Sequence, residues 1–587
     1  MVEKTYTNPE YQAAHEETFA HPLDGEVEVV LPPGITRQKL DDALKEIADA
    51  IGRHAVFSGA DLKDYVDPYE IPEAVEQRKI PCAAACPSTV EELQRVLKVA
   101  NDYIIPVWTF SRGKNLGYGG PAPIVPGSLA LDLHRMDKII EVNEKLAFAV
   151  VEPGVTFGDL YKYCESRKLK LWPSTPSLGW GSVIGNVRRV TPLMIQSNIL
   201  KTLDRGMGFV PTGVHHENMA GLEIVLANGE LVRTGQFAKS APESTPTSAH
   251  LTRLSFGPSI DGLFIQSNLG IVTKMGIWLT PQPQAYMAVT FDMPEFDDLE
   301  FLVDLFGSLR RNGTIPTTVF IGNLVGQTTV IHKHADWWDG KGPIPEWRLK
   351  EIQKELGIGY WVAKFGLYGA PEILQAQYNV VEKVLAKEAP TGHLRNTLYS
   401  GSPEDGGLLE ASSVPGPHGG VYVGFPGMIN LKFVDYLVPK DGAGVGGHGA
   451  YSPILPLDGK TVLDWAKAAR QVYEAHGFDL ISDFFIEERH SVSVCMLFFD
   501  KTDQAMRVAM DKLMHGLFDA GAKRGLAKYR SHIAYMDMTA NLFDFNNHAY
   551  RRFVETLKDS VDPNGILSPG KMGIWPERFR KQRQEES

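Results

Sequence analysis

The sequence predicts an α+β protein with at least two domains, and three observations support this prediction. The chain has 587 residues, more than a single hydrophobic core usually organises, since domains run to roughly 100 to 200 residues. Segments with the alternating pattern of strands are mixed with segments whose apolar residues have helical spacing. The pattern changes around Pro281-Gln282-Pro283, which indicates a boundary between a first domain and a second, α+β domain.

The first half begins with a surface helix and then alternates strands with helices. Residues 36–54 place apolar groups at helical spacing behind Thr36, which can cap the helix. A short strand is predicted at 83–86, a capped helix at 88–100 and a second strand at 105–110. Further strands follow at 128–133, 138–143 and 147–156, and a hairpin at 222–235 turns at Asn228-Gly229.

A glycine-rich loop, residues 111–120, follows the strand at 105–110. It leads into strands rather than into a helix, so it is not a Rossmann fingerprint. Its backbone N–H groups can nevertheless converge on an anion such as a pyrophosphate. Small residues recur beside buried strands at 181–186 and 267–273. Several such loops indicate one long, thin ligand.

The second half predicts the second domain and a returning C-terminal segment. Residues 284–524 alternate strand-like runs with long amphipathic helices at 297–309 and 458–477. A last helix is predicted at 547–560, and the turn residues at 562–571 suit a loop that returns to the first domain. We therefore expect domains at 1–283 and 284–524, with 525–587 rejoining the first.

Composition excludes several classes of protein. The chain is 43% hydrophobic and 22% charged with a net charge of −12, so no basic field favours nucleic acid or an anionic membrane. No apolar run of about 20 residues and no N-terminal signal segment is present, which makes the cytosol the expected location. The four cysteines are expected to be reduced, and the spacing of Cys82 and Cys86 does not predict a metal site.

Taken together, these segments resemble the vanillyl-alcohol oxidase / para-cresol methylhydroxylase family of flavoproteins, in the branch that acts on para-substituted phenols. The resemblance covers nearly the whole chain and rests on residues 113–120, 151–156, 181–186, 267–273, 529–532 and 562–571. It implies a two-domain flavoprotein in which an FAD-binding domain is built from both chain ends. An α+β cap domain covers the flavin ring, and the protein forms a homodimer or a larger homo-oligomer.

Matching the family's motifs residue by residue implies a set of FAD-binding positions. They are Arg112, Gly113, Lys114, Asn115, Gly117, Pro176, Gly181, Ser182, Gly185, Asn186, Gly270, Ile271, Val272, His448 and Lys571. His448 stands where relatives attach the flavin covalently to a histidine. No metal ligand is implied.

The same matching implies that Tyr118, Tyr529 and Arg530 bind the substrate as a phenolate. A phenol with a pKa near 10 is a poor hydride source at the carbon attached to its para position, whereas a phenolate pushes electron density through the ring. One arginine and two hydroxyl donors around the oxygen favour that anion. Hydride transfer to the flavin then leaves a para-quinone methide.

The acid–base residue departs from the pattern of the family's oxidases. Ser177 stands where those oxidases have an aspartate, and a serine cannot act as a base at neutral pH. Asp483 provides a carboxylate on the cap side instead. Our hypothesis is that Asp483 activates the water that attacks the quinone methide, or takes the proton of an alcohol substrate. Phe209, where relatives tend to have tyrosine, predicts a more apolar pocket.

Residues 187–201 form an apparent insertion that has no counterpart in the family's pattern. One account is a surface loop, which costs little closure entropy; another is a wrongly predicted gene segment. The insertion keeps a non-catalytic alternative open, in which flavin binding is lost and a folded interaction protein remains.

The resemblance favours an oxidase of para-substituted phenols that passes electrons to dioxygen and forms hydrogen peroxide. A dehydrogenase or hydroxylase that passes electrons to a cytochrome or another acceptor is the alternative. Two histidine clusters, at 332–336 and 215–217, match no family site and are expected to lie in solvated loops.

Overall fold

The computed structural model describes residues 9–19, 30–71, 79–185, 209–213, 215–240 and 247–585. The predicted FAD ligand Asn186 and the insertion at 187–201 lie outside the described residues. Helices and strands are mixed along the chain, which confirms the predicted α+β class.

The part of the chain before residue 283 carries short strands between helices. Its elements are α1 (Pro9–Phe19), α2 (Arg37–Ile51), β1 (Val56–Phe57), β2 (Ala83–Ala85), α3 (Val90–Tyr103), β3 (Val107–Phe110), β4 (Leu129–Asp132), β5 (Ile139–Asn143), β6 (Phe148–Val151), α4 (Phe157–Ser166), β7 (Leu171–Trp172), α5 (His215–Asn218), β8 (Met219–Val225), β9 (Leu231–Arg233), β10 (Ile271–Trp278) and β11 (Thr280–Pro281). Thr36 caps α2 and Thr89 caps α3 through their side chains, as the sequence predicts.

Two larger sheets organise this part of the chain, and β7 and β11 form a separate two-stranded sheet. One has the order β1-β2-β4-β3, in which β2 and β3 run parallel to β4. The other is antiparallel with the order β5-β6-β10-β8-β9. Because parallel strands end at the same edge of a sheet, the chain leaves β2, β3 and β4 on one side. The glycine-rich loop follows β3 at that edge.

The part after residue 283 is built on one eight-stranded sheet. Seven of its strands follow the order β15-β12-β14-β13-β18-β19-β16, and the eighth, β17, pairs with β19. Its elements are β12 (Ala285–Met293), α6 (Asp298–Arg311), β13 (Val319–Asn323), α7 (Leu324–Thr328), α8 (His334–Trp337), α9 (Glu346–Leu356), β14 (Trp361–Gly369), α10 (Pro371–Glu388), β15 (His393–Ser400), β16 (Gly446–Tyr451), β17 (Ile454–Pro456), α11 (Gly459–Ala475), β18 (Ser482–Ile486), β19 (His490–Asp500) and α12 (Gln504–Ala522).

The C-terminal segment carries α13 (Met536–Asn541), α14 (Phe545–Val561) and α15 (Glu577–Glu585), and it lies beside β3. The N–H of Val107 donates to the carbonyl of Ile566 at 2.8 Å, and the N–H of Ser568 donates to the carbonyl of Val107 at 2.8 Å. The division into domains at 1–283, 284–524 and 525–587 stays a prediction.

Two large hydrophobic cores fill the molecule. One joins β2, β3, β4, β6, β8 and β10 with Ile566 and Leu567 of the C-terminal segment. The other lies on the eight-stranded sheet and also contains Tyr118, Trp180 and Phe209 from the first part of the chain. Over the described ranges, no helix combines the length and apolar character needed to cross a membrane.

Candidate active site

The glycine-rich loop is held in a tight, buried conformation by its glycines. Gly113, Gly117 and Gly119 have φ of 65°, 77° and 106°, a region that side chains disfavour. A Cβ on Gly117 would lie 2.7 Å from Cδ2 of His448, and one on Gly119 would lie 2.6 Å from Cγ1 of Ile533. The loop therefore needs glycine both for its turns and for its close approach to these two side chains.

His448 lies against this loop, although 331 residues of sequence separate it from Gly117. It sits in β16 opposite Phe498 of β19 and is fully buried. Its ring meets the ring of Phe433 edge-on with centroids 5.2 Å apart. The structure thus brings the predicted flavin-linking histidine to the predicted flavin loop.

The predicted phenolate-binding residues come from the same loop and from the segment after α12. The guanidinium carbon of Arg530 lies 4.1 Å from the ring centroid of Tyr118, and Arg530 donates a hydrogen bond to the side-chain oxygen of Asn115. Both Tyr118 and Arg530 are buried, with 0% and 3% exposure. Tyr529 is half-buried and lines a cavity of about 270 Å³ with Arg530.

A buried contact between His532 and Asp67 anchors the segment that carries Tyr529 and Arg530. Nε2 of His532 lies 2.7 Å from Oδ2 of Asp67, and the N–H of Tyr69 donates to Asp67. Burial raises the pKa of Asp67, but His532 and the Tyr69 N–H lower it more, so the pKa lies below its ordinary value. The N–H of Ile533 also donates to the carbonyl of Tyr118 at 3.3 Å.

Asp483 lies in β18, inside the eight-stranded sheet, and is fully buried. It is opposite Gly322 of β13, where a Cβ would lie 2.8 Å from its Oδ1. Burial lowers the pKa of Lys364 in β14 to about 8, while the charge on Asp483 acts in the opposite direction. Asp483 therefore occupies a dry site with a cation within electrostatic reach.

A group of aromatic rings lies within electrostatic reach of this carboxylate. Phe209 stacks on Tyr422 with ring centroids 4.5 Å apart and lies 6.0 Å from Phe485. The charge on Asp483 and burial both raise the pKa of Tyr422, with burial the larger cause. Phe209 is 1% exposed, which places it in an apolar environment of the kind that the sequence predicts.

The segment with Pro176 and Ser177 is buried and joins the two parts of the chain. Both residues are buried, and the N–H of Gly179 donates to the carbonyl of Gly427 at 3.0 Å. Further along, Ser182 donates through its hydroxyl to the carbonyl of Pro153 at 2.5 Å. The N–H of Gly185 donates back to that hydroxyl at 2.9 Å.

The other predicted cofactor residues lie around the same loops. Arg112 donates to the carbonyl of Gly154 at 2.7 Å. Lys571 is fully buried, with its Nζ 5.4 Å from the ring centroid of Trp108. The remaining members of the set have buried positions in these loops or at the start of β10; they are Gly113, Asn115, Gly181, Gly270, Ile271 and Val272.

No pattern in the sequence predicts α1, which contacts the predicted site directly. His15 of α1 is buried and lies against Nζ of Lys114. Lys114 in turn lies 4.8 Å from the ring centroid of Trp180. A Cβ on Gly179 would lie 1.9 Å from the hydroxyl of Tyr11. Only long-range packing places these side chains together, and no local motif marks them.

The prediction of a solvated loop at 215–217 is wrong for His215. This residue is fully buried, its Nε2 lies 2.8 Å from the hydroxyl of Ser174, and its ring stacks on Phe157 at 5.3 Å. A polar side chain that finds a hydrogen-bond partner can be buried at little cost. The cluster at 332–336 differs from an open loop as well, since Nε2 of His334 lies 3.3 Å from Asp479.

The residues around the glycine-rich loop fit FAD on two observations. The loop combines left-handed glycines with buried backbone, a geometry that suits convergence of N–H groups on a pyrophosphate. The hydroxyls of Ser111 and Thr175 are buried and have no hydrogen-bond partner within the described ranges. Buried hydroxyls are nearly always bonded, so both positions can bind a polar ligand.

Comparison with known proteins agrees with this assignment. Residues 81–192 match the family described as FAD binding domain. The chain is 30% identical to the flavoprotein subunit of 4-cresol dehydrogenase (hydroxylating) from Pseudomonas putida, over 93% of this chain and 98% of the relative.

Two solved structures share the fold over nearly their whole length. The 4-ethylphenol oxidase of Gulosibacter chungangensis, in complex with isoeugenol, has a TM-score of 0.83 and 31% identity, covering 94% of this chain and 100% of that structure. A para-cresol methylhydroxylase with bound substrate has a TM-score of 0.81 and 29% identity, covering 93% and 99%.

Proposed function

Because the chain belongs to the vanillyl-alcohol oxidase / para-cresol methylhydroxylase family of FAD-linked oxidoreductases, we propose that it oxidises para-substituted phenols at the carbon attached to the ring. The observation that carries this proposal is the contact of Arg530 with Tyr118 in a buried site beside the glycine-rich loop and His448. Substrates with apolar para substituents fit the aromatic wall around Phe209.

Arg530, Tyr118 and Tyr529 bind the phenol oxygen in this proposal and favour its anion. The guanidinium is always charged, and the two hydroxyls can donate to the same oxygen. A thousandfold shift of the phenol's ionisation constant corresponds to about 4 kcal/mol, which three converging donors in a dry pocket can supply. Asn115 and His532 hold Arg530 and its segment in place.

FAD, when bound, would supply the acceptor for the hydride that leaves the carbon attached to the ring, and its reoxidation by dioxygen would form hydrogen peroxide. The residues that would hold it are those of loop 111–120 with Ser182, Gly185 and Lys571. His448 is the proposed attachment point because it contacts Gly117 directly. Loss of the hydride converts the phenolate into a neutral para-quinone methide.

Asp483 is the proposed acid–base residue, because Ser177 cannot ionise at neutral pH. Its carboxylate would take a proton from the water that adds to the quinone methide, or from the hydroxyl of an alcohol substrate. Asp483→Asn keeps the size of the side chain and removes this proton acceptor. We expect turnover to fall about 100-fold or more with the purified flavoprotein and 4-ethylphenol, while Asp339→Asn, an exposed acid in the same part of the chain, leaves it unchanged. Unchanged turnover in Asp483→Asn would remove Asp483 from the mechanism.

The proposed covalent link through His448 is tested by precipitating the purified protein with acid. Yellow colour in the pellet is expected for the natural chain, and yellow only in the supernatant for His448→Ala. His418→Ala, at a half-buried histidine in the same part of the chain, is the control and should keep the colour in the pellet. Flavin in the supernatant for the natural chain would disprove the link but not FAD binding.

Dioxygen is the proposed electron acceptor, in line with the similarity to a 4-ethylphenol oxidase. Transfer to a protein acceptor is the second candidate, because a 4-cresol dehydrogenase is similarly close. Oxygen uptake with one hydrogen peroxide formed per substrate supports the oxidase. Turnover only with an artificial electron acceptor supports the dehydrogenase. We further propose that two or more copies associate, which a light-scattering mass in solution tests directly.

A protein that binds no flavin, even after incubation with FAD, would support the non-catalytic alternative. In that case the insertion at 187–201 would be the first segment to delete. Recovery of yellow colour on its deletion would show that the insertion, rather than the rest of the chain, prevents binding.

A further inference from the structure

A group of metal-binding side chains lies at the edge of the first sheet, away from His448 and Arg530 in sequence and fold. Cys86 follows β2, Asp132 ends β4 and His134 comes two residues later. The Sγ of Cys86, a carboxylate oxygen of Asp132 and a ring nitrogen of His134 all lie within 4.8 Å of one another. We propose that these three side chains bind a single zinc ion.

The fold explains why these residues meet. β2 and β4 are neighbouring parallel strands in which Ala85 pairs with Leu131. The residues that follow, Cys86 and Asp132, therefore leave the sheet side by side at the same edge. The turn after β4, in which the N–H of His134 donates to Asp132 at 3.1 Å, brings the histidine back over the carboxylate.

The geometry of His134 and Asp132 is compatible with a shared cation. Nδ1 of His134 lies 3.0 Å from Oδ1 of Asp132, yet this nitrogen makes no hydrogen bond within the described ranges. Two ligands of a tetrahedral zinc lie about 3.3 Å apart when each zinc–ligand distance is near 2.0 Å. A cation here would give Nδ1 of His134 a partner, beside the bonds that Asp132 already accepts from the His134 N–H and from Tyr65.

The surroundings are those of a closed, partly dehydrated site. Cys86 and Asp132 are 0% and 1% exposed, and the side chain of His134 is 11% exposed. The hydroxyl of Tyr65 donates to Asp132 at 3.2 Å and lies 3.6 Å from Sγ of Cys86. Arg135 donates to the carbonyl of Cys86 at 2.8 Å, which fixes the position of the cysteine.

Zinc is the metal that this donor set favours. A thiolate, an imidazole and a carboxylate are common zinc ligands, and a fourth position can hold water. As the zinc–sulfur bond forms, Cys86 releases its thiol proton to solvent, and the negative charges of thiolate and carboxylate balance the two positive charges of the ion. None of the three ligands is among the proposed catalytic residues, so the proposed role of the ion is to stabilise the sheet edge from which the glycine-rich loop also leaves.

The test measures zinc in the purified flavoprotein by mass spectrometry of the metal, after incubation with zinc sulfate and gel filtration. We expect about one zinc per chain for the natural protein, and less than about one tenth of that for Cys86→Ser and for His134→Ala. Cys82→Ser is the matched control, because Cys82 is also buried and flanks the same strand but is not part of the cluster.

Two outcomes would overturn the proposal. One is a natural protein that retains no zinc, and the other is equal zinc in the natural protein and in His134→Ala. If Cys86→Ser fails to fold, the result for His134→Ala decides the test, because the side chain of His134 reaches the surface. A second readout is the melting temperature, which zinc should raise in the natural protein and in Cys82→Ser but not in His134→Ala.

Discussion

Arg530 is the single residue on which the proposed oxidation of a phenolate depends most. Its guanidinium lies over the ring of Tyr118 and is bonded to Asn115, so its charge is fixed where the proposed substrate oxygen binds. The sequence indicated this pair only through the resemblance to a family. Composition and spacing alone would not have joined residues separated by more than 400 positions, because long-range contacts leave no local pattern.

We predict that Arg530→Met abolishes the preference for a bound phenolate. The ligand for this experiment is 4-fluorophenol, which has no carbon attached at its para position and cannot be oxidised there. Fluorine NMR of the bound ligand as a function of pH gives its ionisation constant. In the natural protein the bound phenol should ionise at lower pH than in water, by up to about a thousandfold in the constant, or about 4 kcal/mol.

In Arg530→Met the bound phenol should ionise at or above the pH at which it ionises in water, because burial without a cation disfavours the anion. Arg37→Met, which removes an exposed arginine of α2, should behave as the natural protein. An unaltered ionisation constant in Arg530→Met would contradict the assigned role of this arginine.

A second residue-scale prediction concerns Glu152, which follows β6 and accepts the N–H of Lys138 at 3.0 Å. Burial raises the pKa of Glu152 above its ordinary value, and this effect outweighs the backbone bond and the nearby lysines. The charged form is therefore less favourable in the folded than in the unfolded protein. This penalty is present at neutral pH and disappears as the pH falls below the pKa of the unfolded state, near 4.3.

Glu152→Gln should therefore raise the melting temperature at pH 7, since glutamine keeps the acceptor for Lys138 and carries no charge. The gain should shrink steadily as the pH is lowered towards 4. Glu230→Gln, at an exposed position in the β8–β9 turn, should change the melting temperature little at either pH. A melting temperature of Glu152→Gln that is lower than that of the natural protein at pH 7 would contradict the prediction.

Several helices and strands could be predicted from local sequence patterns, whereas the contacts between them could not. The bounds of α2, α3 and β3 agree with the sequence to within about three residues, because capping residues and apolar periodicity are local signals. The packing of α1 against Lys114 and Gly179 and the burial of His215 depend on tertiary contacts. The zinc-binding group likewise spans two strands, so neither strand alone reveals it.

The C-terminal segment provides a prediction at this scale. Nζ of Lys558 in α14 is fully buried, lies 2.7 Å from Asp562 and donates to the carbonyls of Asn268 and Leu567 at 2.7 Å. Lys558→Met would leave the carboxylate of Asp562 buried without its cation. Breaking a buried pair in this way costs about 3 to 5 kcal/mol.

We expect Lys558→Met to lower the melting temperature strongly and to make residues 562–571 accessible to protease. Lys581→Met serves as the control, because its ion pair with Glu577 is exposed on α15, and exposed pairs contribute about 0 to 1 kcal/mol. Equal stability of the two variants would contradict the view that Lys558 holds this segment beside β3.

At the scale of the whole molecule, the proposed site lies where the two cores meet. The glycine-rich loop and the segment at 529–532 bring Tyr118 and Arg530 together, and the eight-stranded sheet contributes His448 and Asp483. A site assembled from both ends and the middle of the chain explains why no continuous stretch of sequence contains it. We therefore propose that this chain by itself binds FAD and takes a hydride from a para-substituted phenol.

The most direct test is to add 4-ethylphenol to the purified protein in the absence of oxygen and record the visible absorption of the flavin. We expect the flavin absorption near 450 nm to bleach within one turnover without any external acceptor. In Arg530→Met the same absorption should bleach far more slowly. This result is independent of whether dioxygen or another acceptor normally removes the electrons. A flavin spectrum that stays unchanged with para-cresol and 4-ethylphenol, or a protein without flavin, would contradict it.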